Sequence, residues 1–223
     1  TNLGNSRIQG GQRIYLSSTS GTRLAWNGAV YSLTDGGVLD STAVYSTINS
    51  TAQAFFPYDR ELAAVMDGAN RPRKSTDLNT WTLMGIDAGS SAPTLSSRSS
   101  GSLSASEFEV AATFKDRGTG HESNGSPVST LTLGATGAIE VSVSNSTDAQ
   151  TEAIVLYARN KTAGETVLRK VSSAAQSGGA GANSTFRISS SDWSANAEIP
   201  TNHNVPAAHR FAVPWKNRWW AAH

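Results

Sequence analysis

Cysteine is missing from this chain of 223 residues. Its absence excludes disulfide staples and thiolate metal sites. Charge is scarce and balanced, with 18 basic against 17 acidic residues and a formal net charge of +1. Proteins that grip nucleic acid through phosphates carry a basic excess or stripe, and none is visible. The densest basic cluster, Arg71, Arg73 and Lys74, is short and reads as a solvated loop. No apolar run is long enough to span a membrane, so no membrane anchor is expected. No extended amphipathic helix pattern occurs. The phosphate-cradling glycine motifs and the Gly-x-Ser-x-Gly nucleophile elbow are also missing.

What fills the chain is small and polar. Ser and Thr make up about a quarter of it, a composition suited to exposed strand faces and turns and poor for helices. Asn27-Gly28 lies between Arg23-Leu24-Ala25-Trp26 and Ala29-Val30-Tyr31-Ser32-Leu33. That arrangement signals a hairpin, because both turn residues tolerate positive φ. Glu61–Met66, followed by Asp67-Gly68, reads as a strand ending in a turn, and Asn79–Gly85 as another short strand. From Glu107 the alternation is clean. Phe108, Val110, Ala112 and Phe114 face one way, with Glu107, Glu109, Ala111 and Thr113 opposite. Ile139, Val141 and Val143 repeat the pattern, as do Ile154, Leu156 and Ala158. Such strands predict an antiparallel β-sandwich of roughly 90 residues. The Ser/Gly-rich stretches at 87–106 and 177–182 read as hinges. The expected domains are therefore 1–88, a sandwich at 89–178, and 179–223 returning to the first unit.

The residues offer little chemistry. His203 and His209 are six apart, with His121 and His223 elsewhere, and no metal-ligand spacing results. Surface loops are the plain reading, and neither a metal nor a cofactor is expected. The carboxylate pairs that would suit a glycoside hydrolase, Asp35 with Asp40 or Glu107 with Glu109, read as solvated faces. Asn-x-Ser/Thr sequons at Asn49, Asn124, Asn145, Asn160 and Asn183 arise easily at this Ser/Thr content. No catalytic residue is expected, and the chain is read as a non-enzyme. Of six Trp residues, Trp81, Trp215, Trp219 and Trp220 are the candidate anchors of a subunit interface; burial within their own domain is the competing reading. Trp219 and Trp220, being adjacent, must face opposite sides of a strand. Both chain ends read as cut from a longer polypeptide.

Three local patterns carry a resemblance. One is Val65-Met66-Asp67-Gly68-Ala69-Asn70-Arg71-Pro72-Arg73-Lys74 with Asn79-Thr80-Trp81-Thr82-Leu83-Met84-Gly85. A second is Phe108–Gly118 followed by His121-Glu122-Ser123-Asn124-Gly125-Ser126-Pro127, and a third is Phe211–Ala222 with its Lys-Asn-Arg-Trp core. In this order they resemble the tail nozzle, or tail tubular protein B, of short-tailed bacteriophages and the related packaged-DNA stabilisation proteins. The resemblance touches residues from about 60 to the end, and residues 1–45 lie outside it. It implies an all-β fold in which partial β-propeller-like strands flank an inserted fibronectin-III-like antiparallel β-sandwich. It also implies localisation in the virion tail, self-assembly into a ring taken here as six-fold, contacts with other virion tail proteins, and transient passage of double-stranded DNA without tight binding. The alternative is a carbohydrate-binding β-sandwich module of a phage fibre or adhesin, which would present a planar row of exposed aromatic rings.

Overall fold

The computed structural model describes residues 10–15, 21–26, 28–33, 39–46, 48, 54–59, 62–116, 118–215 and 218–222. Among them there are strands and turns and no helix. The chain divides into two units, one of residues 1–84 with 206–223 and one of residues 85–205. The second unit is thus inserted in the sequence of the first.

The first unit opens with β1 (Gly10–Tyr15), β2 (Gly21–Trp26), β3 (Val30–Leu33) and β4 (Leu39–Tyr45), an antiparallel meander in sequence order. Strands β2 and β3 form the expected hairpin, with Trp26 opposite Val30 and Gly28 at φ 67°, while Asn27 lies outside the described residues. A second meander follows: β5 (Tyr58–Asp59), β6 (Leu62–Val65), β7 (Arg73–Ser75) and β8 (Thr82–Leu83). Strand β6 is buried on both faces. Ala63 and Val65 join Val30, Ile48, Phe56, Leu78 and Trp81 in one apolar cluster. Ala64 and the adjacent Met66 join Ala212 in another. Period-two alternation makes this possible, because successive side chains point to opposite faces.

The basic cluster is a correction to the solvated-loop reading. Arg73 and Lys74 lie on β7. Arg71 Nε donates to the carbonyl of Met84 at 2.9 Å, and Arg73 donates to that of Trp81 at 3.1 Å while its guanidinium lies 4.7 Å from the Tyr45 ring centre. These cations hold strand ends and an aromatic face.

The second unit contains β9 (Thr94–Leu103), β10 (Glu107–Asp116), β11 (Ser129–Thr132), β12 (Gly137–Ser144), β13 (Thr151–Asn160), β14 (Arg169–Ala175) and β15 (Asn183–Ile188). One antiparallel sheet has the order β11-β10-β13-β14 and the other β15-β12-β9. Their inner residues share one core, including Phe108, Val110, Ile139, Val141, Ile154, Leu156, Ile188 and Trp193. These inward positions on β10, β12 and β13 are the ones the alternation predicted. The outer face of β10 departs from expectation, since Ala111 and Thr113 are also buried.

The expected domain limits need correction at both low-complexity stretches. Residues 94–103 form β9, an exposed edge strand, because Ser and Thr suit a solvated pleat. The sandwich runs on past 178 to Val205, since β15 pairs with β12 along six residues. The Gly-rich turn before β15 is held by buried Asn145. Its amide donates to the carbonyls of Ser177 at 2.7 Å and Gly179 at 3.0 Å, and its Oδ1 accepts from Ser184 Oγ at 2.6 Å. This Asn heads a sequon, yet its amide is fully engaged inside the fold. The chain then returns to the first unit with the hairpin β16 (Phe211–Trp215) and β17 (Arg218–Ala222).

Two outcomes test this account. Asn145→Ala strands two carbonyls and a hydroxyl, and should cost about 1–3 kcal/mol in chemical denaturation. The second concerns the β7–β8 turn, where Asp77 Oδ1 accepts from the amides of Asn79 at 2.8 Å and Thr80 at 2.7 Å. Burial pushes the Asp77 carboxyl up, but the Thr80 and Asn79 amides outweigh it and hold it below its usual range. A depressed carboxyl stabilises the fold above its unfolded value of about 3.9 and loses that contribution as pH falls through the folded value. Asp77→Asn should therefore flatten the part of the stability profile below about pH 4 and leave its shape near neutrality unchanged, as read by denaturation across pH.

Candidate interaction face

The C-terminal hairpin β16–β17 presents two different faces. Its register sets Phe211 opposite Ala222, Ala212 opposite Ala221 and Val213 opposite Trp220. Directly opposed residues share a face, so Phe211, Val213, Trp220 and Ala222 lie together while Ala212 points the other way. Ala212 is buried against Ala64 and Met66. The far face is open, with Phe211 47%, Val213 59% and Trp220 56% exposed. The hairpin is seated by Gly68 N donating to the His209 carbonyl at 3.0 Å and Arg210 N to that of Ala222 at 3.1 Å. A Cβ at Gly68, which has φ 73°, would come within 2.6 Å of the Arg210 side chain, so glycine is needed there for both space and backbone.

The four candidate tryptophans separate. Trp220 stands on the open apolar face. Trp81 is a correction: it is 7% exposed, meets Phe56 edge-on at 6.3 Å, and donates its indole N–H to the Leu78 carbonyl at 3.2 Å. It is a core residue of the first unit. Trp215 and Trp219 are on β16 and β17, but their side chains lie outside the described residues. Trp219 is opposite Pro214, one position out of phase with Trp220, as adjacency requires. Trp193 is buried in the sandwich core, edge-on to Phe108 at 6.4 Å and donating to Glu165 at 3.0 Å.

Within the second unit, His121 and His203 meet although 82 positions apart in sequence, with ring centres 4.6 Å apart and planes tilted by 34°. No spacing of residues foreshadows this pairing. His203 Nδ1 lies 2.7 Å from the Glu122 carbonyl, which only accepts, so that nitrogen carries the proton. Glu122 Oε2 accepts from the Tyr157 hydroxyl at 2.7 Å and from Thr113 at 3.0 Å. Burial and then the Glu122 carboxylate hold the Tyr157 phenol well above its usual range. Tyr157 is therefore a neutral donor at physiological pH. The group borders an open depression of about 550 Å³ shared with Gly120, Glu198 and Pro200. Its hydrogen bonds tie the 119–124 and 196–204 loops to the sheet and account for the burial of Thr113.

Of the carboxylates singled out in sequence, Glu107 and Glu109 are ion-paired. Glu107 meets Lys161 at 2.8 Å, and Glu109 accepts from Arg159 at 2.7 Å. Asp35 and the side chain of Asp40 fall outside the described residues, as do Asn49 and His223. Among the described residues no three His, Asp or Glu side chains gather as a metal site. Compared with known families and characterised proteins, the chain matches no family model and none of the characterised sequences.

The two tryptophans of the first unit whose side chains are described should respond differently to truncation. Trp81→Ala should cost about 3–5 kcal/mol of stability. Trp220→Ser should stay within about 0.5 kcal/mol in the isolated chain and lower its binding of a hydrophobic dye. Denaturation and dye fluorescence check both.

Proposed function

We propose that this chain is a structural component of a bacteriophage tail, a subunit of the nozzle or tail-tube ring that forms part of the DNA ejection conduit. The observation that carries this reading is the layering of the first unit. Two successive antiparallel meanders of four strands and a following hairpin pack by alternate faces, and the last layer leaves Phe211, Val213 and Trp220 uncovered. Four-stranded meanders repeated in this way have the topology of propeller blades. The insertion of a sandwich between the second and third layers agrees with the architecture the resemblance implies.

Seven strands divided four and three around one core support the fibronectin-III-like reading of the sandwich. Its strand order is its own. The first strand lies beside the fourth, whereas in immunoglobulin constant-type domains the first and second share a sheet.

Function in this reading resides in shape. A subunit of a conduit needs stiff β-layers and lateral contacts, and a channel through which DNA slides gains nothing from a dense cationic lining. The near-neutral charge fits that requirement. The carbohydrate-binding alternative needs exposed planar rings on the sandwich, and Tyr157 and Trp193 are both buried there.

Electron microscopy of the full-length protein and of this chain at high concentration tests the proposal. Rotationally symmetric rings with a central channel of DNA width are expected. Dispersed monomers of the intact full-length protein would overturn it, and glycan-array binding would then favour the alternative.

A further inference from the structure

Strand β14 is the outermost strand of its sheet, and contacts among the described residues cover only its first two residues, Arg169 and Lys170. Lys170 N donates to the Ala197 carbonyl at 2.9 Å, Ile199 N to that of Leu168 at 3.0 Å, and Asn196 Nδ2 to that of Lys170 at 2.7 Å. Arg169 adds an ion pair with Glu198 at 3.2 Å. The chain thus lays its own segment 196–199 along this edge, and the described hydrogen bonds reach no further along it than Lys170.

Residues Val171–Ala175 are left as an outer edge of five residues. Open edges are ordinarily guarded by charge, proline or a break in the ladder. On the other sheet, β15 carries Arg187, and β9 carries Arg98 and a register shift opposite Gly137. Val171-Ser172-Ser173-Ala174-Ala175 has neither charge nor proline. Its one irregularity lies at the covered end, between the pairs Leu156–Ser172 and Tyr157–Lys170. Ser172 Oγ is buried with no hydrogen-bond partner among the described residues.

We propose that Val171–Ala175 is a strand-pairing surface for a second copy of this chain, joined antiparallel about a two-fold axis at Ser173. Self-pairing is what this edge fits. Centred on Ser173, residue 171 faces 175 of the other copy and 172 faces 174, so the open stretch is used in full. The register stops short of Lys170, whose edge is taken by segment 196–199 in each copy. Arg169 and Lys170 are then opposed by no like charge, and the side chains nearest the axis are small. This contact is an isologous one, separate from the heterologous contacts that close a ring, and it does not depend on the conduit reading.

The native chain has no cysteine, so a single introduced thiol is a clean probe. Ser173→Cys and, as a control on an exposed strand of the other sheet, Thr185→Cys would be oxidised under dilute conditions and run without reductant. Ser173→Cys is expected to form covalent dimer at least about tenfold faster than the control, since opposed strand residues lie within disulfide reach. Ser173→Lys, which places like charges face to face at the axis, is expected to weaken association at least about tenfold in sedimentation velocity. Equal cross-linking of the two cysteine variants, or association unchanged by Ser173→Lys, would overturn the proposal. Rings that persist in Ser173→Lys while this two-fold association is lost would support the proposal and leave the conduit reading intact, since other contacts close the ring.

Discussion

Strand β6 has no solvent face, and the first unit is arranged around that constraint. A strand of Leu-Ala-Ala-Val flanked by Met66 cannot be left at a surface on either side without exposing apolar atoms. Burying a single valine or methionine side chain contributes about 1.5–3 kcal/mol, and β6 with its neighbour offers such groups to both sides. The first meander covers one side through Val30, and the returning hairpin covers the other through Ala212. The alanines at 63, 64 and 212 are part of the same logic, because small side chains let layers approach closely. Residues 206–223 are therefore part of the first unit although the whole sandwich separates them in sequence from it.

Much of this was legible in the residues, and the failures have physical causes. The inward positions of β10, β12 and β13 follow from alternation, since the buried side of a strand must be apolar and period two cannot slip without exposing all of it. The low-complexity stretches misled because composition reports exposure and not order. Residues 94–103 are Ser-rich because β9 is a solvated edge, and the Gly-rich turn at 177–182 is fixed by one buried amide at Asn145. The buried outer face of β10 could not be foreseen from β10 itself. It is covered by loops from distant parts of the chain, which meet where His121 stacks on His203. Trp81 and Trp220 are equally aromatic in sequence, and only the tertiary pairing of their strands decides which one reaches solvent.

The same tertiary context decides what the cations do. Arg71 and Arg73 are occupied by carbonyls at strand ends, Arg159 and Lys161 by the Glu107–Glu109 pair, and Arg169 by Glu198. A guanidinium already committed to a carbonyl or carboxylate must break that bond to grip a phosphate. Each such exchange is close to neutral, because one charged hydrogen bond replaces another. The basic residues thus act as fasteners of strand ends and edges.

In the proposed reading this division of labour belongs to a protein that works through its surfaces. The Tyr157 phenol, held above its usual range first by burial and then by Glu122, serves as a clamp. The described surface carries a cluster of exposed apolar side chains on β16–β17 and a short uncharged edge on β14. Large exposed apolar side chains clustered on one face mark interaction sites, and an unguarded edge is a template for another strand. The two are complementary in kind. An apolar face gains free energy by excluding water with little directional demand, whereas a strand edge gains little but fixes orientation through its hydrogen-bond register. An assembly built from this chain would draw its affinity from the face and its geometry from the edge.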